Sequence, residues 1–500
     1  MCDQQSCFKF EKYIGKNTAV LISATGNLEY QWALETALRL KRIGAEVSLF
    51  DLSQFSLRYS ARIRIKKFYL PHFTRIVLRN LLLKKTLRIE NFVREVCFQN
   101  EINYQRIKPK RIQFVPHLMK KVYLREFEDE NWGPLKATEI IRTFLSSRHK
   151  RLIGDLDYVP LQVALNLKVS IFSVMEFMKS SEILNFESYF LANGRQANSA
   201  TITKILRAKN KEVMLYESSG GYIFPEKLEA RLDYWQSSPA NTVETQNKVM
   251  CKDLTSGIDY SILSEVKSII RDRSQVAFTL DYLTPSPAKV EKIPLGSHRN
   301  YAFFATTDWE ISVLFDKPVV SGFFQNQIEA VECILESIGP FDRLFIRLHP
   351  GDPNIETSAD DIWKQFEVDR RVIFINPDDR TDSYALAKLM DANFVWTSFL
   401  GVELALRNLP VGIMGDASYA LSIEKYLVNN HSKVIKFIQN PFLISVEQLN
   451  QYISYLIFGG YKIENSRTLS NRKIYILDQQ VDLFKFYFRW LPESIRTKIS

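Results

Sequence analysis

Short apolar, β-branched runs alternate with stretches of helical periodicity along most of this chain, and that alternation leaves few folds open. Between Asn17 and Phe50, TAVLIS reads as a strand, LEYQWALETALRLKRIG as a helix ending at Gly44, and EVSLFD as a second strand. A strand, a helix and a strand in that order make a parallel pair joined by a right-handed crossover. The pattern returns from Glu187, where SYFLANGR is a strand with a polar exit, Ala200 to Lys209 a helix, and EVMLYESSGG a strand with a glycine-containing exit. Beyond residue 300, YAFFATT, RLFIRL, VIFIN, FVWTS and VGIMG are strands; helices follow at Gln325 to Ile338, around Asp360 to Phe366, at Tyr384 to Met390 and at Gly401 to Arg407. Two such blocks predict an α/β fold of two Rossmann-like domains, their parallel sheets facing a central cleft.

Leu283 to Gly296 carries three prolines, which disfavour both helix and central strand, so it is expected to link the domains. The expected division is an N-terminal domain over 1–290 with a basic helical insertion at about 58–125, a C-terminal domain over 291–440, and a helical segment over 441–500 packing on the domains. The aromatic residues of that last segment, Phe484, Phe486, Tyr487, Phe488 and Trp490, are expected to pack rather than to bind a ligand.

With 500 residues, 46% hydrophobic and 13% aromatic, the chain has material for two cores, which excludes disorder as its main character. Its five cysteines are odd in number and scattered, with no CxxC pair, which fits a reducing, cytoplasmic compartment. No window reaches the roughly 18 uninterrupted apolar residues of a spanning helix, so the protein is expected to be soluble or peripheral on a membrane. The net charge of +10 is concentrated. From Arg58 to Glu90 ten Lys or Arg stand against one acidic residue, interleaved with Tyr59, Phe68, Tyr69 and Phe73. That pattern suits a solvated helical hairpin or an anionic bilayer surface bound through Arg58 to Arg88; nucleic acid is not expected, because no nucleic-acid motif accompanies it.

The candidate chemistry lies at strand exits, where ligands of open α/β sheets bind. His349 ends the LFIRL strand just before Pro350, placed to donate a hydrogen bond or a proton to a phosphate, with Arg347 two residues earlier. Thr397 and Ser398 end the FVWTS strand before a helix whose Gly401 allows close backbone approach and whose Glu403 suits a ribose diol. In the first block, Arg195 and Glu217 end neighbouring strands, and Glu217 is the candidate to activate an acceptor hydroxyl. The one Asp-x-Asp, Asp155 and Asp157, lies in the first block, and no His/Cys/Asp cluster has ligand spacing, so neither a metal nor another cofactor is expected. Neither a P-loop nor GxGxxG is present.

From Phe190 to Tyr419, the NGR exit, YESSGG, FFATTDWE with the QNQIEAVECIL helix, IRLHP, the NPDDRTDSYALAKLMDANFVWTS block and GVELALRNLPV occur in an order that resembles the bacterial capsular and surface polysaccharide glycosyltransferases of the GT-B class, including Kdo transferases with a His-Pro motif. The resemblance implies a metal-independent glycosyltransferase with a nucleotide sugar, CMP-Kdo or another CMP-sugar, on the second domain and a glycan or lipid-linked acceptor mainly on the first. It implies nucleotide contacts from His349, Pro350, Thr397, Ser398 and Glu403, with Glu217 and Arg195 facing the reacting sugar. Phe399 departs from the family's glycine or second serine. Such an enzyme would work at the inner face of the cytoplasmic membrane. The alternative is a non-catalytic GT-B-like module that binds glycan or membrane.

Overall fold

The computed structural model describes residues 8–23, 27–53, 91–107, 121–123, 140, 158–192, 197–218, 231–236, 242–250, 260–272, 293–306, 324–349, 363–377, 379, 381–468, 474–476 and 479–481. Arg195, Pro350, Asp155, Asp157, most of the basic segment from 58 to 125, the proline-bearing segment up to residue 292 and the aromatic residues beyond 481 lie outside them. The chain divides into two compact units. The described residues of 8–144, 155–238 and 460–500 form one, and those of 239–459 form the other.

In the first unit, β1 (Asn17–Ile22), α1 (Asn27–Arg42), β2 (Glu46–Asp51) and β3 (Asn103–Arg106) open the sheet. After a short antiparallel pair, β4 (Lys121–Tyr123) and β5 (Tyr158–Pro160), the chain continues through α2 (Leu161–Ser180), β6 (Ser188–Ala192), α3 (Ala197–Ala208), β7 (Glu212–Ser218) and β8 (Arg231–Trp235). The order β3-β2-β1-β6-β7 is parallel throughout; β8 joins it antiparallel, followed by β14 (Tyr461–Lys462). Side chains alternate along each strand, so β1 feeds two cores. Val20 and Ile22 pack with Phe190, Met214 and the α1 residues Ala33, Leu34 and Ala37. Ala19 and Leu21 pack with Tyr189, Leu191 and Leu215, and with Val174 and Ile202 from α2 and α3. Burial on both faces explains why these strands read as continuous apolar runs.

The second unit holds β9 (Asn300–Phe304), α6 (Gln327–Ser337), β10 (Arg343–Arg347), β11 (Val372–Ile375), α7 (Ser383–Lys388), β12 (Ala392–Val395), α8 (Leu400–Leu406) and β13 (Val411–Ile413). Its sheet order is β11-β10-β9-β12-β13, every pair parallel. Tyr301, Phe303, Leu344, Ile346 and Phe394 pack with Val331 and Ile334 of α6 and with Val434 and Phe437 of α9 (His431–Gln439). The expected α/β class with two Rossmann-like parallel sheets is what the chain forms.

Two expectations are corrected, and one strand adds to them. Helices α4 (Thr242–Val249) and α5 (Tyr260–Asp272), expected with the first domain, belong to the second unit, where they pack against α10 (Asn450–Phe458), and α5 also against α8. An amphipathic face does not name its partner. Among the described residues, the expected helical segment over 441–500 is helical only to Phe458; beyond it Tyr461–Lys462 joins the first sheet, and β15 (Ser466–Thr468), β16 (Ile474–Ile476) and β17 (Gln479–Val481) form a meander. The strand β8 was also not anticipated, because RLDYW mixes charged and apolar residues at the antiparallel side of the sheet. Among the described residues no helix is long and apolar enough to cross a membrane.

Asp51, fully buried at the end of β2, ties that strand to its neighbours. Its Oδ2 accepts from the hydroxyls of Tyr30 at 2.9 Å and Tyr104 at 3.1 Å, and its Oδ1 from the Ser53 N–H at 2.9 Å. Burial, then the Asp51 charge, pushes both tyrosine hydroxyls well above their usual pKa, so they remain donors. Removing the acceptor strands buried donors, so Asp51→Ala is expected to cost about 3 kcal/mol or more in urea unfolding, and Asp51→Asn, which keeps an acceptor oxygen, clearly less.

Candidate functional site

Within the second sheet the strand order reverses between β9 and β12. Right-handed crossovers carry the connections that leave those two strands to opposite faces, which opens a crevice at their carboxyl ends. Thr306, two residues past β9, and Thr397 and Ser398, just past β12, stand at that crevice. The Thr397 N–H donates to Thr306 Oγ1 at 3.4 Å. Thr306 is held in turn by Gln327 of α6, which is 1% exposed: the Thr306 N–H donates to Gln327 Oε1 and Gln327 Nε2 donates to the Thr306 carbonyl, both at 2.8 Å. Thr397 and Ser398 are each half-buried. Three hydroxyl-bearing residues therefore stand at the reversal, with Thr306 and Thr397 joined directly.

The backbone N–H groups expected to hold an anion at the start of α8 are already engaged. Leu400 N–H donates to Ser398 Oγ at 3.2 Å, Gly401 N–H to the Ser398 carbonyl at 3.1 Å, and the Val402 and Glu403 N–H groups to the Phe399 carbonyl at 3.0 and 3.3 Å. Nor does Gly401 leave room for a ligand. A Cβ there would collide with the hydroxyl of Tyr419 and come within 2.7 Å of Ile413. Tyr419 is 1% exposed and donates to the Ser398 carbonyl at 2.6 Å. Burial, then neighbouring Tyr452 and Glu403, pushes its pKa well up, so the hydroxyl stays a donor. The rings of Tyr419 and Phe399 pack on Tyr452, at 5.3 and 6.3 Å between centroids, which gives the departing Phe399 a structural role. Glu403, expected to face a ribose, is buried at 8% exposure close to Tyr419.

On the other side of β9 stands the exit of β10. His349 follows two residues after that strand and is half-buried; the Ala305 N–H donates to the Arg347 carbonyl at 3.0 Å, keeping the two exits adjacent. Arg347 itself is turned away from the role expected of it. Its guanidinium, 4% exposed, donates to the carbonyls of Asn376 and of Asp379, the latter at 2.9 Å, and so clamps the exit of β11. A cavity of about 290 Å³ lined by Phe345, Ile373, Phe374 and Thr381 lies on that flank rather than at the reversal.

The first sheet reverses between β1 and β6. Glu29, in the first turn of α1 and 5% exposed, accepts from the N–H and the hydroxyl of Ser23 at 2.6 and 2.7 Å, and Asn198 Nδ2 donates to the Ser23 carbonyl at 3.4 Å. Glu217, near the carboxyl end of β7, is half-buried and sits opposite Asp233 of β8 in the ladder. Its expected partner Arg195 lies outside the described residues. Sequence reasoning passed over Thr306, Glu29 and Tyr419. A hydroxyl one step past an apolar run, and a glutamate in a helix's first turn, were the available signals for the first two; nothing local marked Tyr419.

No family model matches the chain, and no curated protein matches it. Among solved structures it is similar to Thermosulfurimonas dismutans KpsC, described as a beta Kdo 2,7 transferase, at 13% identity over 58% of this chain and 85% of that chain, TM-score 0.31. A second KpsC structure from that organism, described as a beta Kdo 2,4 transferase, matches at 11% identity over 53% of this chain and 78% of that one, TM-score 0.34. Acinetobacter baumannii MurG matches at 11% identity over 89% and 96%, TM-score 0.22. Similarities at these TM-scores carry no argument, and the architecture rests on strand order and burial.

Tyr419→Phe is expected to cost about 1 kcal/mol through the lost hydrogen bond, and Gly401→Ala about 1 to 3 kcal/mol through overpacking. Because the tyrosine hydroxyl is the colliding atom, the double variant should be less destabilised than the two single losses together, as a denaturant double-mutant cycle would read.

Proposed function

We propose that this chain is a glycosyltransferase that moves a sugar from a nucleotide sugar to a glycan or lipid-linked acceptor, and that the crevice of the second sheet holds the donor. The observation that carries the reading is that Thr306, Thr397 and Ser398 stand at a strand-order reversal, with His349 at the next exit. Hydroxyls can donate to phosphate oxygens, and an imidazole beside them can stabilise or protonate the leaving phosphate. The acceptor oxygen forms its bond to the anomeric carbon as the bond to the phosphate oxygen breaks; the acceptor proton goes to a carboxylate. Glu217, half-buried near the end of β7, is the proposed base, while Glu29, already accepting from Ser23, fixes the exit of β1. Pro350 on the nucleotide phosphate and Arg195 on the reacting sugar complete the proposal.

The reading assigns leaving-group stabilisation to protein groups, so turnover in excess EDTA should equal turnover without it. The donor nucleotide is proposed to be CMP, with CMP-Kdo the first sugar to try, and the setting to be the inner face of a bacterial cytoplasmic membrane. The concentrated positive charge of Arg58 to Arg88 supports that setting.

Calorimetry with CMP, UDP and GDP tests the donor site: at least one should bind, and Ser398→Ala or His349→Ala should weaken it by roughly tenfold. Glu217→Gln should leave that affinity unchanged and lower kcat by roughly 10² to 10⁴. Glycan or lipid binding with no nucleotide affinity would point to the non-catalytic module instead.

A further inference from the structure

At the end of the second sheet opposite the crevice, the turns that lead into four adjacent strands hold large apolar side chains in water. Val368 stands four residues before Val372 of β11, Phe341 three before Leu344 of β10, and Leu389 three before Ala392 of β12; Leu295 and His298 precede Asn300 of β9. Val372 pairs with Leu344, Arg343 with Asn300 and Tyr301 with Ala392. The four turns therefore stand side by side in strand order, about 5 Å apart per strand. Val368 is 90% exposed, Phe341 67%, Leu295 44% and Leu389 41%. The Phe341 ring stacks on His298 at 5.3 Å between centroids.

The same turns carry charge of one dominant sign. Over 295–299, 339–343, 364–371 and 388–391, six Lys or Arg stand against four acidic residues. Three of those four carboxylates are engaged within the edge itself. Asp342 accepts from the Gly339 and Arg299 N–H groups at 2.8 and 3.1 Å, Asp391 from the Asn300 N–H at 2.7 Å, and Asp369 from the Arg371 guanidinium at 2.7 Å. Arg371 also donates to the Leu335 carbonyl of α6 at 2.8 Å, which ties the turn bearing Val368 to the helix that leads to Phe341. Arg299, Lys364, Arg370 and Lys388 are exposed.

A row of exposed apolar side chains marks an interaction surface, because water does not favour it. Apolar tips set among cations match the interface of an anionic bilayer, where the tips enter the headgroup region and the cations meet lipid phosphates. An isologous contact with a second copy would instead bring this positive edge against itself. We propose that the edge is a membrane-docking surface of the second unit. The inference deepens the membrane setting proposed above and rests on it, and it adds a contact separate from Arg58 to Arg88. The crevice lies at the other end of the same strands, roughly 17 Å away along the five residues of β9, so docking leaves it open to a nucleotide from the aqueous side.

The test is co-sedimentation of the full chain with vesicles of phosphatidylethanolamine and phosphatidylglycerol, and with vesicles of phosphatidylcholine alone. Wild type should partition onto the anionic vesicles and far less onto the neutral ones. Phe341→Ser with Val368→Ser, and separately Arg370→Glu with Lys388→Glu, should each lower that partition by about tenfold or more at an unchanged melting temperature. Phe341→Trp keeps a ring in place, and its emission should shift further to the blue on anionic vesicles than that of wild type. Edge variants that partition as wild type does, while charge reversal at Lys66, Lys67, Lys84 and Lys85 abolishes binding, overturn the inference and leave the membrane setting standing. Wild type that binds neither vesicle overturns both. Equal partition onto the two kinds of vesicle, no added blue shift for Phe341→Trp, or edge variants that lose self-association in sedimentation equilibrium while still binding vesicles would also contradict it.

Discussion

A parallel strand can reach its neighbour only by a crossover, and the right-handed twist of L-residues gives nearly every such crossover one hand. In each sheet of this chain that rule converts strand order into a candidate location for a ligand. The order β11-β10-β9-β12-β13 sends the chain one way from β9 and the other way from β12, so the carboxyl ends of these two strands are where a crevice opens. Everything said of Thr306, Thr397 and Ser398 depends on that geometry. Had the same residues stood at the amino ends of the strands, they would be ordinary polar surface.

What favours the crevice as the proposed site is the way its rim is tied together from three directions. Gln327 fixes Thr306 from α6, Tyr419 fixes Ser398 from beyond β13, and Arg347 secures the exit of β11 behind His349. None of these three side chains is free to bind a ligand, yet Gln327 and Tyr419 each remove motion from a residue of the reversal. Groups held before a ligand arrives lose less entropy when it binds, which is how buried hydrogen bonds of modest individual strength support recognition.

Much of this was legible in the sequence. Strands buried on both faces, such as LFI of β10 and NFV of β12, announce themselves as largely apolar runs, and the residues that follow them, His349, Thr397 and Ser398, lie at the carboxyl ends of the sheet. Side-chain direction was not legible. Arg347 ends β10 two residues before His349, but period two does not say which face carries space and which carries the carbonyls of Asn376 and Asp379. Gly401 was read as room for a ligand, and the room is occupied by a tyrosine eighteen residues later, a contact that no local pattern encodes.

Hydrogen–deuterium exchange in the presence of a saturating nucleotide tests the central claim most directly, because it asks where a ligand settles without altering any residue. The account predicts slowed exchange at residues 304–306, 347–349, 396–402 and 414–419, which lie at the exits of β9, β10, β12 and β13. A nucleotide that binds and slows exchange only elsewhere, for instance along residues 373–381 beside the flanking cavity, would contradict it.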